Sequence, residues 1–130
     1  MIALLLLLLL LAPAPQERRF VAYDVVVETD GRPLAAWQLE VRSSAKIVGI
    51  EGGEPASYAK APYYDPAALE GGRIVLAAFT TEAPPSGRLR IARIHMLEEG
   101  AADYASRLLV AAGPDGGRYD ADIHLVRVGD

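Results

Sequence analysis

A chain of 130 residues, 52% hydrophobic, 23% charged and 7% aromatic, holds one domain with one core and is neither disordered nor fibrous. Its formal net charge is -4, and its basic residues are scattered singly apart from Arg18-Arg19, so it offers nucleic acid no clustered positive surface. With no cysteine, disulfides, thiolate nucleophiles and Cys-ligated zinc or iron–sulfur centres are excluded.

Ile2 to Ala12 is an unbroken apolar run that includes eight consecutive leucines, Leu4 to Leu11. As a helix it covers roughly 16 Å, about half of a ~30 Å bilayer core. That length argues against a stable membrane span and fits the hydrophobic region of a signal peptide. Ala12-Pro13-Ala14 matches a small-x-small cleavage pattern, so residues 1–14 are read as an export signal. The rest of the chain is then periplasmic, cell-surface or extracellular. Two features depart from the ideal: no Lys or Arg precedes the run, and Pro15 follows the cut. The alternative is a buried strand or helix, although a leucine run specifies no face. Arg outnumbers Lys 11 to 2, a composition associated with GC-rich bacterial genomes.

Residues 15–19 read as a polar linker, and residues 20–128 as the domain. Phe20 to Thr29 is the first strand, with Val21, Tyr23, Val25 and Val27 on one face and Asp24 and Glu28 on the other. Asp30-Gly31-Arg32-Pro33 supplies a turn. Ala35, Trp37, Leu39 and Val41 then share a face, opposite Gln38, Glu40 and Arg42. Lys46 to Glu51 is a third strand, closed by Gly52-Gly53. Glu54 to Glu70 has no sustained period and reads as a long loop. One helical turn is expected in it at Pro66 to Leu69, with Asp65 as cap and Pro66 at its first position.

Arg73 to Thr80 is almost continuously apolar, which predicts a central strand covered on both faces. Arg88 to Leu97 alternates but slips phase: Leu89 and Ile91 share one parity, Ile94 and Met96 the other. A bulge near Ala92 reconciles them. Tyr104 to Ala112 and Ala121 to Val128 complete the set, joined by a tight turn at Pro114 to Gly117. Seven to nine strands and no sustained helical period predict an all-β, antiparallel two-sheet β-sandwich of jelly-roll or Greek-key type.

Few residues suggest chemistry. His95 and His124 lie inside strands without an evident third metal ligand. Two Ser-x-x-Lys matches, Ser43 to Lys46 and Ser57 to Lys60, lack the helix that places serine and lysine on one face. Asp115, Asp120 and Asp122 surround Gly116-Gly117; their oxygens could hold calcium, or the segment is simply a turn. Glu98-Glu99 reads as a solvated strand end. Tyr58, Tyr63 and Tyr64 with Trp37 could form a platform for a sugar ring or a protein partner. The competing reading has the loop folding over an open end of the sandwich, with its tyrosines completing the core.

The order of segments resembles cohesin-like domains of the carbohydrate-binding β-sandwich superfamily. The resemblance rests on Val25-Val26-Val27, then Pro33 to Val41, then Lys46 to Gly53, and later Gly72 to Phe79 and Gly87 to His95. It implies a nine-stranded jelly roll and a non-catalytic role in docking another protein. With no catalytic constellation in the sequence, the expected function is an exported binding or scaffolding module engaging a protein partner. The alternative is a polysaccharide-binding module that uses the tyrosine-rich loop.

Overall fold

Strand alternation sorts each segment into an inner and an outer set of side chains, and two sheets close over the inner sets. The structure, a computed structural model, describes residues 17–129; the expected export signal lies outside them. Seven strands follow in order: β1 (Arg18–Glu28), β2 (Ala36–Ser43), β3 (Lys46–Gly52), β4 (Arg73–Phe79), β5 (Arg88–Glu99), β6 (Tyr104–Ala112) and β7 (Asp122–Arg127). They form a four-stranded sheet, β3-β5-β1-β7, and a three-stranded sheet, β4-β2-β6. Every pairing is antiparallel. This is the expected all-β sandwich, with seven strands among the described residues where the cohesin resemblance implies nine.

The inner faces meet in one core. The four-stranded sheet contributes Val25, Val27, Ile47, Ile91, Ile94 and Met96, and the other contributes Trp37, Leu39, Val41, Ile74 and Leu76, all essentially inaccessible. Each such side chain stabilises the fold by about 1.5–3 kcal/mol relative to exposure. The phase slip in β5 is a bulge: Val25 faces Ala92 while Val26 faces Arg90, leaving Ile91 as the extra residue. Ile91 and Ala92 are both buried, so one inserted residue keeps both halves of the strand on the core.

Three expectations need correction. β4 is an edge strand of the three-stranded sheet, not a central one. Its apolar run reflects Ile74 and Leu76 facing the core, while the loop adds Tyr63 to its free edge as a single bridge to Ala77. β1 begins at Arg18, two residues before the expected start at Phe20, so Arg18 and Arg19 belong to the sheet and pair with Glu99 and Glu98. Glu98 is not solvated; it is 3% exposed.

The long loop carries two 3₁₀ turns, Ala56–Tyr58 and Pro66–Glu70. The second has the expected cap, with the Ala67 N–H donating to Asp65 Oδ1 at 3.0 Å. Gly52 and Gly53 let the loop start against neighbouring backbone. A Cβ at Gly52 would lie 2.1 Å from the Ala59 carbonyl oxygen, and one at Gly53 2.3 Å from that of Arg90. Only glycine permits that approach.

Candidate binding surfaces

The four aromatics singled out in the sequence do not form one platform. Trp37 and Tyr58 are core residues, 2% and 3% exposed. Their rings meet edge-on at 6.0 Å, and the Tyr58 hydroxyl donates to the Leu34 carbonyl at 2.6 Å. Burial pushes the Tyr58 hydroxyl up to about 12. Tyr64 packs half-buried against the core. Tyr63 alone is open, 72% exposed. A surface site built on Trp37 or Tyr58 is therefore ruled out by geometry, because neither ring face reaches solvent.

The three aspartates are also separated by role. Asp115 Oδ1 accepts from the Gly117 N–H at 3.0 Å and closes the turn between β6 and β7. Asp120 and Asp122 instead flank a cleft with Glu28, Asp30 and Arg88. Among the described residues no three His, Asp or Glu side chains are grouped to hold a metal ion.

Each histidine faces a carboxylate on a neighbouring strand. His124 Nε2 is 3.0 Å from Glu28 Oε2. His95 Nε2 lies 3.0 Å from Glu51 Oε1, an ion-pair distance without hydrogen-bond alignment. The Ser-x-x-Lys pairs diverge: Ser43 is buried and donates to the Ala45 carbonyl at 2.6 Å, whereas Lys46 points toward Glu70 at 3.9 Å. Ser57 bonds to the carbonyls of Glu82 and Ala83.

Two buried carboxylates went unread in the sequence. Glu98, on the inner side of β5, accepts from the Tyr104 hydroxyl at 2.5 Å, from Arg19 Nε at 3.3 Å and from Arg127 Nη2 at 3.4 Å. The Tyr104 hydrogen bond, followed by Arg127, holds its carboxyl below the ordinary value despite opposing desolvation. This cluster ties β1, β5 and β7 to β6 across the two sheets, with the Tyr23 and Tyr104 rings 4.6 Å apart. Glu40 is enclosed between Arg42 Nε at 2.9 Å and Arg73 Nε at 2.6 Å.

The outer face of the four-stranded sheet combines apolar residues with charges that satisfy one another. Strand register sets Phe20 opposite Leu97, Ala22 opposite His95 and Asp24 opposite Arg93. On the other side, Val126 lies opposite Asp24. Val128 continues that row, its N–H bonding the Ala22 carbonyl at 2.9 Å. Arg93 grips Asp24 through two bonds of 2.7 and 3.3 Å. Arg88 meets Glu28 at 2.8 Å and Arg18 meets Glu99 at 2.7 Å. Phe20, Val126 and Val128 are nevertheless exposed, by 77%, 40% and 37%, and Val48 on edge strand β3 by 39%. The sequence carried a sign of this in parity, since Phe20 falls in step with Asp24 and Glu28 rather than with the core valines.

Of the described residues, the remaining exposed large hydrophobics are Tyr63 and Phe79. Both line a groove of about 700 Å³ between the long loop and the end of β4.

No family model, curated protein or solved structure matches this chain. No helix among the described residues is long and apolar enough to cross a membrane.

Proposed function

We propose that this chain is an exported, non-catalytic binding or scaffolding module that engages a protein partner through the outer face of its four-stranded sheet. The observation that carries the reading is Val126 and Val128 in one row of that face with Phe20 diagonal to Val128, all three exposed although the core is complete without them. Contiguous apolar surface of this kind is retained where something covers it. The ion pairs around it leave few unpaired charges for a partner to desolvate, which lowers the cost of burying the face. The cohesin-like order of strands and glycines supports the same role, as does the apolar leader read as an export signal.

The partner this face suits is a folded protein with an apolar patch of its own, covering roughly 800 Å² on each side. The test is retention of proteins from periplasmic or secreted extract on immobilised wild-type chain, on Phe20→Asp and on Tyr63→Ala. The expected result is a defined protein held by the wild type and by Tyr63→Ala but lost from Phe20→Asp. Equal retention by all three, or retention of polysaccharide alone, overturns the reading.

A further inference from the structure

We propose that the outer face of the three-stranded sheet carries a second, independent site, a groove in which Tyr63 and Phe79 stack on the rings of an uncharged glycan. It does not rest on the protein-binding reading, because it lies on the opposite face of the sandwich.

Register places the two rings together. On β4, Ile74 and Leu76 are fully buried, so Ala77 and Phe79 point outward by alternation. Tyr63 and Ala77 exchange both backbone bonds, at 2.8 and 3.1 Å, and therefore project on the same side of the sheet. Tyr63 and Phe79 are thus diagonal cross-strand neighbours, no more than about 7–8 Å apart at their Cβ atoms. They are 72% and 65% exposed.

The surroundings suit an uncharged ligand with hydroxyls better than an anion or a cation. Ala56, Ala61, Pro62, Ala78 and Ala83 line the groove beside the two rings, a small apolar surface with no charge. Thr80 and Thr81 add hydroxyls at one end, while Lys60 and Glu82 at the rim carry opposite signs. Neither an acidic nor a basic ligand is therefore favoured. The groove volume falls within the roughly 300–1,000 Å³ of small-ligand sites.

The frame is also held in place. Ser57 Oγ bridges the carbonyls of Glu82 and Ala83, each at 3.1 Å, tying the two walls together. Tyr58 roots the loop in the core through Leu34. Exposed rings on a fixed support bind with little ordering cost.

The test uses native gels cast with soluble neutral β-1,4-glucan, xylan, mannan or α-1,4-glucan, and with polygalacturonate as the acidic control. The wild type is expected to be retarded by at least one neutral polymer. Tyr63→Ala and Phe79→Ala should each weaken that affinity by about tenfold, the upper range for one aromatic contact. The double variant should migrate as in a blank gel, and Phe20→Asp should bind normally. Both rings are exposed, so circular dichroism of the variants should match the wild type. Unchanged mobility in all four neutral polymers, retardation by polygalacturonate alone, or full retardation of the double variant overturns the proposal. So does loss of a captured protein, rather than of glycan, from the double variant.

Discussion

The two outer faces of this sandwich handle charge in different ways. On the four-stranded sheet, ionic side chains pair across neighbouring strands, Arg88 with Glu28 in the open and Arg93 with Asp24 largely covered. On the three-stranded sheet a single carboxylate, Glu40, disappears beneath Arg42 and Arg73. The first arrangement leaves room beside the ion pairs for exposed apolar residues. The second seals the middle of its face and confines open aromatic surface to the β4 edge. Open surface pairs such as Arg88 with Glu28 are worth little to stability, typically ~0–1 kcal/mol. Their part here is to neutralise a face without filling it.

The contrast of either face with the core gives the largest expected effect. Trp37→Ala removes a fully buried ring and should cost about 3–5 kcal/mol, read as a lower urea midpoint. Next comes Tyr58→Phe, which leaves the buried Leu34 carbonyl without its donor and should cost about 1–3 kcal/mol. Because burial raises the Tyr58 hydroxyl from 10.0 to about 12, its neutral form favours the folded state. That contribution is complete below pH 10.0 and is lost as pH climbs toward 12. Tyr58→Phe should therefore flatten the alkaline limb of the stability profile. An alkaline limb unchanged in the variant would place Tyr58 outside the core.

Acid probes the paired carboxylates. Glu98 has its carboxyl lowered from 4.5, first by the Tyr104 hydroxyl and then by Arg127 and Arg19. Its contribution is present above pH 4.5 and is lost as pH falls through the lower folded value. Glu40 and Glu28 shift the same way, chiefly through Arg42 and Arg88. Glu98→Gln should reduce the loss of stability on acidification, measured by denaturation between pH 6 and pH 3, roughly the range over which carboxylates titrate. An acid limb identical to the wild type would mean that the Glu98 cluster does not join the sheets.

Much of the architecture was legible because it depends on local period. The alternation through Ala35, Trp37, Leu39 and Val41 gave β2 its face, and the slipped parity around Ala92 marked the bulge. Asp65-Pro66 announced its turn. Sheet neighbours were less legible, since the apolar run Ile74 to Phe79 does not tell which strand lies beside it, nor that Phe79 is exposed. The buried acids were missed for a related reason. Alternation assigns Glu40 to an outward position, and only the pairing of β2 with β4 brings Arg73 over it. The tyrosine-rich loop was half legible. Composition marked it as aromatic, but it is the edge bridge to Ala77 that leaves Tyr63 outside while Tyr58 turns in.

The smallest expected effect is the sharpest test of the face. Phe20→Asp should change stability by about 0.5 kcal/mol or less, as for a surface substitution without buried partners, because 77% of the residue is already in water. Its direct neighbour across the pairing is Leu97, and Arg18 and Arg19 on the same strand already have Glu99 and Glu98 as partners. The new carboxylate therefore enters solvent and breaks no ion pair. A midpoint shift as large as that of Tyr58→Phe would show that Phe20 is covered in the free protein, and the distinction between the apolar face and the core would fail. A stable variant that no longer retains a protein would assign the fold to the inner valines of β1 and the proposed recognition to its outward phenylalanine.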